Sequence, residues 1–121
     1  MNRGFDMSDT WYIDEIHTKT FIGLNAIERC GLIQSFVKRM IDDEINGCKY
    51  SFYSSHKPAR VHRMMDQYSW VWSDLGIEKM SFIEKMFDVP RRRLSNRENP
   101  VLILKEILCI LEDIKQMLIS V

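Results

Sequence analysis

Residues 99–121 read Asn-Pro-Val-Leu-Ile-Leu-Lys-Glu-Ile-Leu-Cys-Ile-Leu-Glu-Asp-Ile-Lys-Gln-Met-Leu-Ile-Ser-Val. Their reading decides the fold. Asn99 and Pro100 make a helix start: an asparagine side chain accepts from first-turn N–H groups, and proline's missing N–H costs nothing there. Beyond them Leu104, Ile107, Leu111, Ile114, Leu118 and Val121 recur every three or four residues as an unbroken seam. Ile103, Ile110 and Met117 add a second apolar row, and polar residues are confined mainly to a strip through Lys105, Glu106, Glu112 and Asp113. A helix apolar over so wide an arc needs cover on two sides. It is either the hub of a bundle or part of a dimer interface. The hub reading is preferred, since one domain needs one buried centre; a homodimer through this helix is the alternative. The run is long enough to span a bilayer. However, Lys105, Glu106, Glu112, Asp113 and Lys115 would be costly in hydrocarbon, so no membrane role is read.

Working outward, Ser81-x-x-Glu84 predicts a short helix carrying Phe82, Ile83, Met86 and Phe87, stopped by Val89-Pro90. Before it, Pro58 opens a helix whose Val61, Met64, Met65, Tyr68, Trp72 and Leu75 form one stripe, with Gly76 as terminator. Residues 47–57 have no helical period, and Cys48, Tyr50 and Phe52 alternate with polar neighbours as a short extended piece would. Ser8 caps a first helix through Ile13, Ile16, Thr20, Leu24 and Ile27. Gly23 and Gly31 invite a break in it, and Asn25 with Glu28 supplies a capping box for a restart. Ile33, Phe36, Val37, Met40 and Ile41 continue the stripe until Asn46-Gly47, which tolerates the left-handed backbone of a helix stop. These segments add up to an all-α, single-domain bundle of about five helices over residues 1–121, with the C-terminal helix as hub.

The chain has 121 residues, and 17 basic against 17 acidic side chains give zero net charge. No whole-molecule field therefore draws it to nucleic acid. Its three cysteines, Cys30, Cys48 and Cys109, are odd in number and lack CxxC spacing, and no apolar leader is visible at the start. Together these give the expectation of a cytoplasmic protein. Cys48, His56 and His62 are too widely spaced for a local zinc pair. Asp42-Asp43 and Glu112-Asp113 are adjacent, so their side chains diverge on a helix. No Gly-rich phosphate loop or nucleophile–base pair is present. The reading is of a non-enzyme with no cofactor and no metal.

Two features remain as candidate contact sites. Trp70 falls on the polar side of its helix near Arg63, as interface hot-spot residues do. The second is the one dense basic cluster, Arg91, Arg92, Arg93 and Arg97. Within it, Asp88-Val89-Pro90-Arg91-Arg92-Arg93-Leu94-Ser95-Asn96-Arg97-Glu98-Asn99-Pro100 resembles one end of the helix-turn-helix of the phage-repressor family, with Val89, Leu94, Ser95, Glu98 and Asn99 in register. That resemblance implies that Pro90 to Asn96 enter a major groove, with Arg91, Arg92, Arg93 and Asn96 contacting DNA. The sequence departs from the family where Asp88 replaces the turn glycine, Glu84 the small residue at the helix crossing, and Arg97 an apolar closing residue. These departures favour the other use of the cluster. It predicts a small helical protein that binds another protein with an acidic surface, as an immunity or antitoxin protein, a chaperone or a phage-encoded inhibitor does. A helix-turn-helix regulator using residues 81–99 is the alternative.

Overall fold

The computed structural model describes residues 24–47, 51–71 and 75–120, with side chains described outside 67–71. These residues form an all-α fold of five helices and one 3-10 turn, with no strand among them. The helices are α1 (Ala26–Ile45), α2 (Lys57–Val71), α3 (Ile77–Met86), α4 (Asp88–Ser95) and α5 (Pro100–Ile119), and the 3-10 turn is Phe52–Ser54. The predicted Ser8 helix and residues Cys48 to Tyr50 lie outside the described residues.

Helix α1 starts at the capping box anticipated from sequence. The Asn25 side chain accepts from the Glu28 N–H at 2.9 Å, and Glu28 accepts from the Asn25 N–H at 3.1 Å. Gly31 does not break it. Backbone hydrogen bonds run through to the Asn46 cap, where Gly47 takes φ 80°. Cooperative propagation overrides the modest cost of one helical glycine. Helix α5 begins as expected too, with the Asn99 side chain accepting from Val101 and Leu102 N–H groups and Pro100 in the first turn.

The spine of the fold is α1 packed on α5. They run antiparallel: Ala26 lies beside Leu118, and the Cys30 thiol donates to the Leu111 carbonyl at 3.3 Å. Ile103, Leu104, Ile107, Leu111 and Ile114 are buried against Cys30, Ile33, Phe36, Val37 and Met40. Fully burying each large aliphatic side chain stabilises by roughly 1.5–3 kcal/mol. At its polar margin, Gln34 donates to Glu112 at 2.9 Å and Gln116 donates to the second carboxylate oxygen at 2.8 Å. These two hydrogen bonds hold the Glu112 carboxyl below its usual range. Burial pushes the Cys30 thiol up to about 12. An uncharged thiol is therefore what the core holds.

Where α1 hands over to α2, Lys57 pairs with Glu44 at 2.5 Å. Glu44 sits at the negative end of α1 and Lys57 at the positive end of α2, each opposed by its own helix dipole. Joining them offsets both. Phe52 to Ser54 form a 3-10 turn and not the extended piece expected, because the serines close the backbone locally. Ser54 N–H reaches the Ser51 carbonyl, and the Ser55 hydroxyl reaches that of Phe52 at 2.7 Å. Phe52 is thereby turned into the core.

Two boundaries around the basic cluster differ from expectation. Helix α3 begins at Ile77, four residues before Ser81, because Gly76 adopts φ 94° and its carbonyl accepts the Met80 N–H. Ser81 and Glu84 thus lie on an exposed helix flank. Val89-Pro90 does not end structure either; it lies inside the first turn of α4. Proline does break the helix, but upstream. Its missing N–H and its ring oppose a bond to the carbonyl four residues back, which is Met86, the last residue of α3. Phe87 is the single residue between the helices, at φ −89° and ψ −2°, and its ring is fully buried.

Candidate functional site

The structure turns the basic cluster into a helix with three distinct sides. Pro90 and Leu94 face the core. At 100° per residue, Arg92 is about 200° of rotation from each, which places it on the crest opposite the core. Arg91 and Arg93 flank the crest. Arg91 reaches back to Asp66 of α2 at 2.6 Å, and Arg93 reaches across to Glu106 of α5 at 2.9 Å, with Glu98 at 3.9 Å. Each such pair, part-exposed, is worth about 0.2–1 kcal/mol. Two of the four predicted arginines therefore hold α4 between its neighbours.

The other two are presented outward. Arg92 and Arg97 are exposed, and neither forms an ion pair with a described residue. Val89, 40 % exposed, stands one turn before Arg92, so an apolar side chain and an exposed cation share the crest. Asn96, the remaining residue assigned to DNA contact by the resemblance, is the exposed cap of α4.

Arg97 has a conformation of its own. It is the only non-glycine residue with positive φ among those described, at 57°. Its N–H bonds the Leu94 carbonyl at 3.1 Å while the Glu98 N–H bonds that of Arg93 at 3.1 Å. This pattern is the Schellman termination, in which glycine is the usual occupant of the Arg97 position. The Tyr53 hydroxyl donates to the Glu98 carbonyl and so ties the 3-10 turn to the same bend. Burial, the charge on Glu98 and an opposing effect of Arg97 leave the Tyr53 phenol above its usual range.

Between α2, α3 and α4 lies an open cleft of about 420 Å³, floored by Met65 and rimmed by Asp66, Glu84, Lys85, Asp88 and Arg91. Glu84, the residue at odds with a tight helix crossing, faces this opening and not a packed contact. The α3–α4 link also differs from a helix-turn-helix, which uses a three- or four-residue turn where this chain has Phe87 alone.

Arg63 is exposed on α2, one turn before Asp66. Trp70 lies outside the described side chains. Among the described residues no cluster of three His, Cys, Asp or Glu side chains is placed to hold a metal ion. No described helix is long and apolar enough to cross a membrane. What the sequence reading missed is the pair of acidic anchors, Asp66 and Glu106, and the Tyr53 tie. Only the α2 and α5 packing brings these to α4, and spacing along the chain carries no trace of it.

No protein-family model, curated protein or solved structure matches this chain.

Proposed function

We propose that this chain works without catalysis, by binding an acidic surface of another protein through the crest of α4. An immunity- or antitoxin-like inhibitor, a chaperone and a phage-encoded inhibitor all act in this way, by occluding a partner's working surface. The observation that carries the reading is the crest itself. Arg92 and Val89 stand outward on a short helix whose flanks are fixed by the Asp66–Arg91 and Glu106–Arg93 pairs. A cation beside an apolar side chain on a pre-fixed helix loses little freedom on binding, which favours affinity. Arginine also supplies two parallel donors to a carboxylate.

Co-expression with the products of neighbouring genes, followed by calorimetry of any purified pair, tests the reading. A defined complex weakened at least about tenfold by Arg92→Glu is the expected result, since reversing a charge at a carboxylate contact costs more than 1.4 kcal/mol. A complex indifferent to Arg92→Glu would remove the α4 crest from the interface.

The DNA-binding reading draws on one specific feature, the helix over Asp88–Ser95 that carries Arg91, Arg92, Arg93 and Asn96. Two of those arginines are already paired within the protein, which lowers the number of phosphates the helix can neutralise. Duplex binding with a steep salt dependence, lost on Arg92→Ala, is the result that would favour it over the protein-binding reading.

A further inference from the structure

Resting on the protein-binding reading above, we infer that Arg97 and Arg92 together form a two-point site for carboxylate side chains of the partner, and that Arg91 and Arg93 take no direct part. The first ground is the division already described. Arg91 and Arg93 each engage an acidic side chain of the fold, Asp66 and Glu106, though Arg93 is also exposed, whereas Arg92 and Arg97 are exposed without an ion pair to any described residue. The second ground is conformational. A side chain at the Arg97 position opposes the left-handed backbone, and glycine would close the same bend without strain. The Arg97 guanidinium forms no ion pair with a described residue and is no part of the bend, although its charge reaches the Tyr53 phenol. The bend is made by backbone N–H groups and by the Tyr53 hydroxyl on the Glu98 carbonyl. A strained residue held in place by its surroundings, with an exposed charged end, points to a use beyond the fold.

The third ground is placement. The bond from the Arg92 carbonyl to the Asn96 N–H at 3.0 Å, followed at once by the left-handed Arg97, puts both residues at the same end of α4. Discrete carboxylates fit this pair better than a duplex does. Two guanidinium groups neutralise about two phosphates, against the six to ten contacts behind a strongly salt-dependent complex.

The test uses the full chain and an oligoglutamate peptide as probe, followed by NMR titration at low salt. Three variants are compared with wild type: Arg97→Gly, Arg92→Ala and Arg92→Glu. Arg97→Gly keeps the bend, so it raises the melting temperature by a few degrees while weakening peptide binding about tenfold. Arg92→Ala weakens binding to a similar extent. If Arg97→Gly raises the melting temperature and leaves peptide affinity unchanged while Arg92→Ala still weakens it, the Arg97 assignment falls and the α4 reading stands. If wild type binds the peptide no better than Arg92→Glu does, both fall. Tighter binding to a duplex than to the peptide, with a log–log salt slope well beyond about −2, overturns the carboxylate site in favour of nucleic acid.

Discussion

In the α1–α5 spine, Cys30, Val37, Leu104, Ile107, Leu111 and Ile114 are fully shielded from solvent. Helix α4 sends only Pro90 and Leu94 inward and is fixed by ion pairs and a Schellman bend. The spine is held by area removed from water, which is non-directional and large. The edge is held by a few directional contacts, each small. The comparison teaches where stability and recognition reside in this molecule. An element with two buried side chains has most of its surface left for a partner; their burial seats it, and the ion pairs then fix its flanks.

Substitutions can break this contrast. The largest expected effect is on the spine: Leu111→Ala or Ile107→Ala lowers unfolding free energy by about 2–5 kcal/mol, measured by urea denaturation. A loss below 1 kcal/mol would mean that these residues are not the hub. Alkaline pH probes the same region. Because burial raises the Cys30 thiol from 9.0 to about 12, the folded state keeps its proton longer than the unfolded one. The stability from this group is complete below pH 9 and declines as pH rises toward 12, by up to about 1.4 kcal/mol per unit. Thermal melts of Cys30→Ala should show a flatter decline over that window; an identical decline would assign it to other groups.

Smaller effects belong to helix ends and to the edge. Asn99→Ala removes the acceptor for two N–H groups at the start of α5, and costs about 1 kcal/mol by chemical denaturation. Gly31→Ala acts in the opposite direction. An added Cβ meets no atom within 4 Å, so helix propensity alone decides, and a gain of about 0.5–1 kcal/mol is expected from the shift in urea midpoint. The smallest change is at α4, where Arg91→Ala should cost about 0.2–1 kcal/mol. The cost should vanish in a double-mutant cycle with Asp66→Ala. Full additivity would show that α4 is not held by this pair.

Much of the architecture was legible because it depends on local chemistry. The Asn25–Glu28 box, the Asn46-Gly47 stop and the Asn99-Pro100 start all act within a few residues of themselves, and each is where the spacing placed it. The three–four periodicity of Leu104 to Ile114 likewise selects the buried face without reference to a partner element. The boundaries near the basic cluster were misread where two local rules competed. A Ser-x-x-Glu pattern was outweighed by the positive φ of Gly76, and the effect of Pro90 appeared four residues upstream at Met86 and not at Val89.

The sequence alone determined that the chain is helical, where the two spine helices begin, and that four arginines cluster between two helices. Those outcomes follow from short-range backbone satisfaction and from hydrophobic period, which need no knowledge of what packs against what. Only the tertiary structure decided which arginines are bound and which are displayed. Asp66 is 25 residues from Arg91, and Glu106 is 13 from Arg93. An ion pair between residues so far apart exists only once burial of Leu94, Phe87 and the α5 seam has fixed the helices side by side.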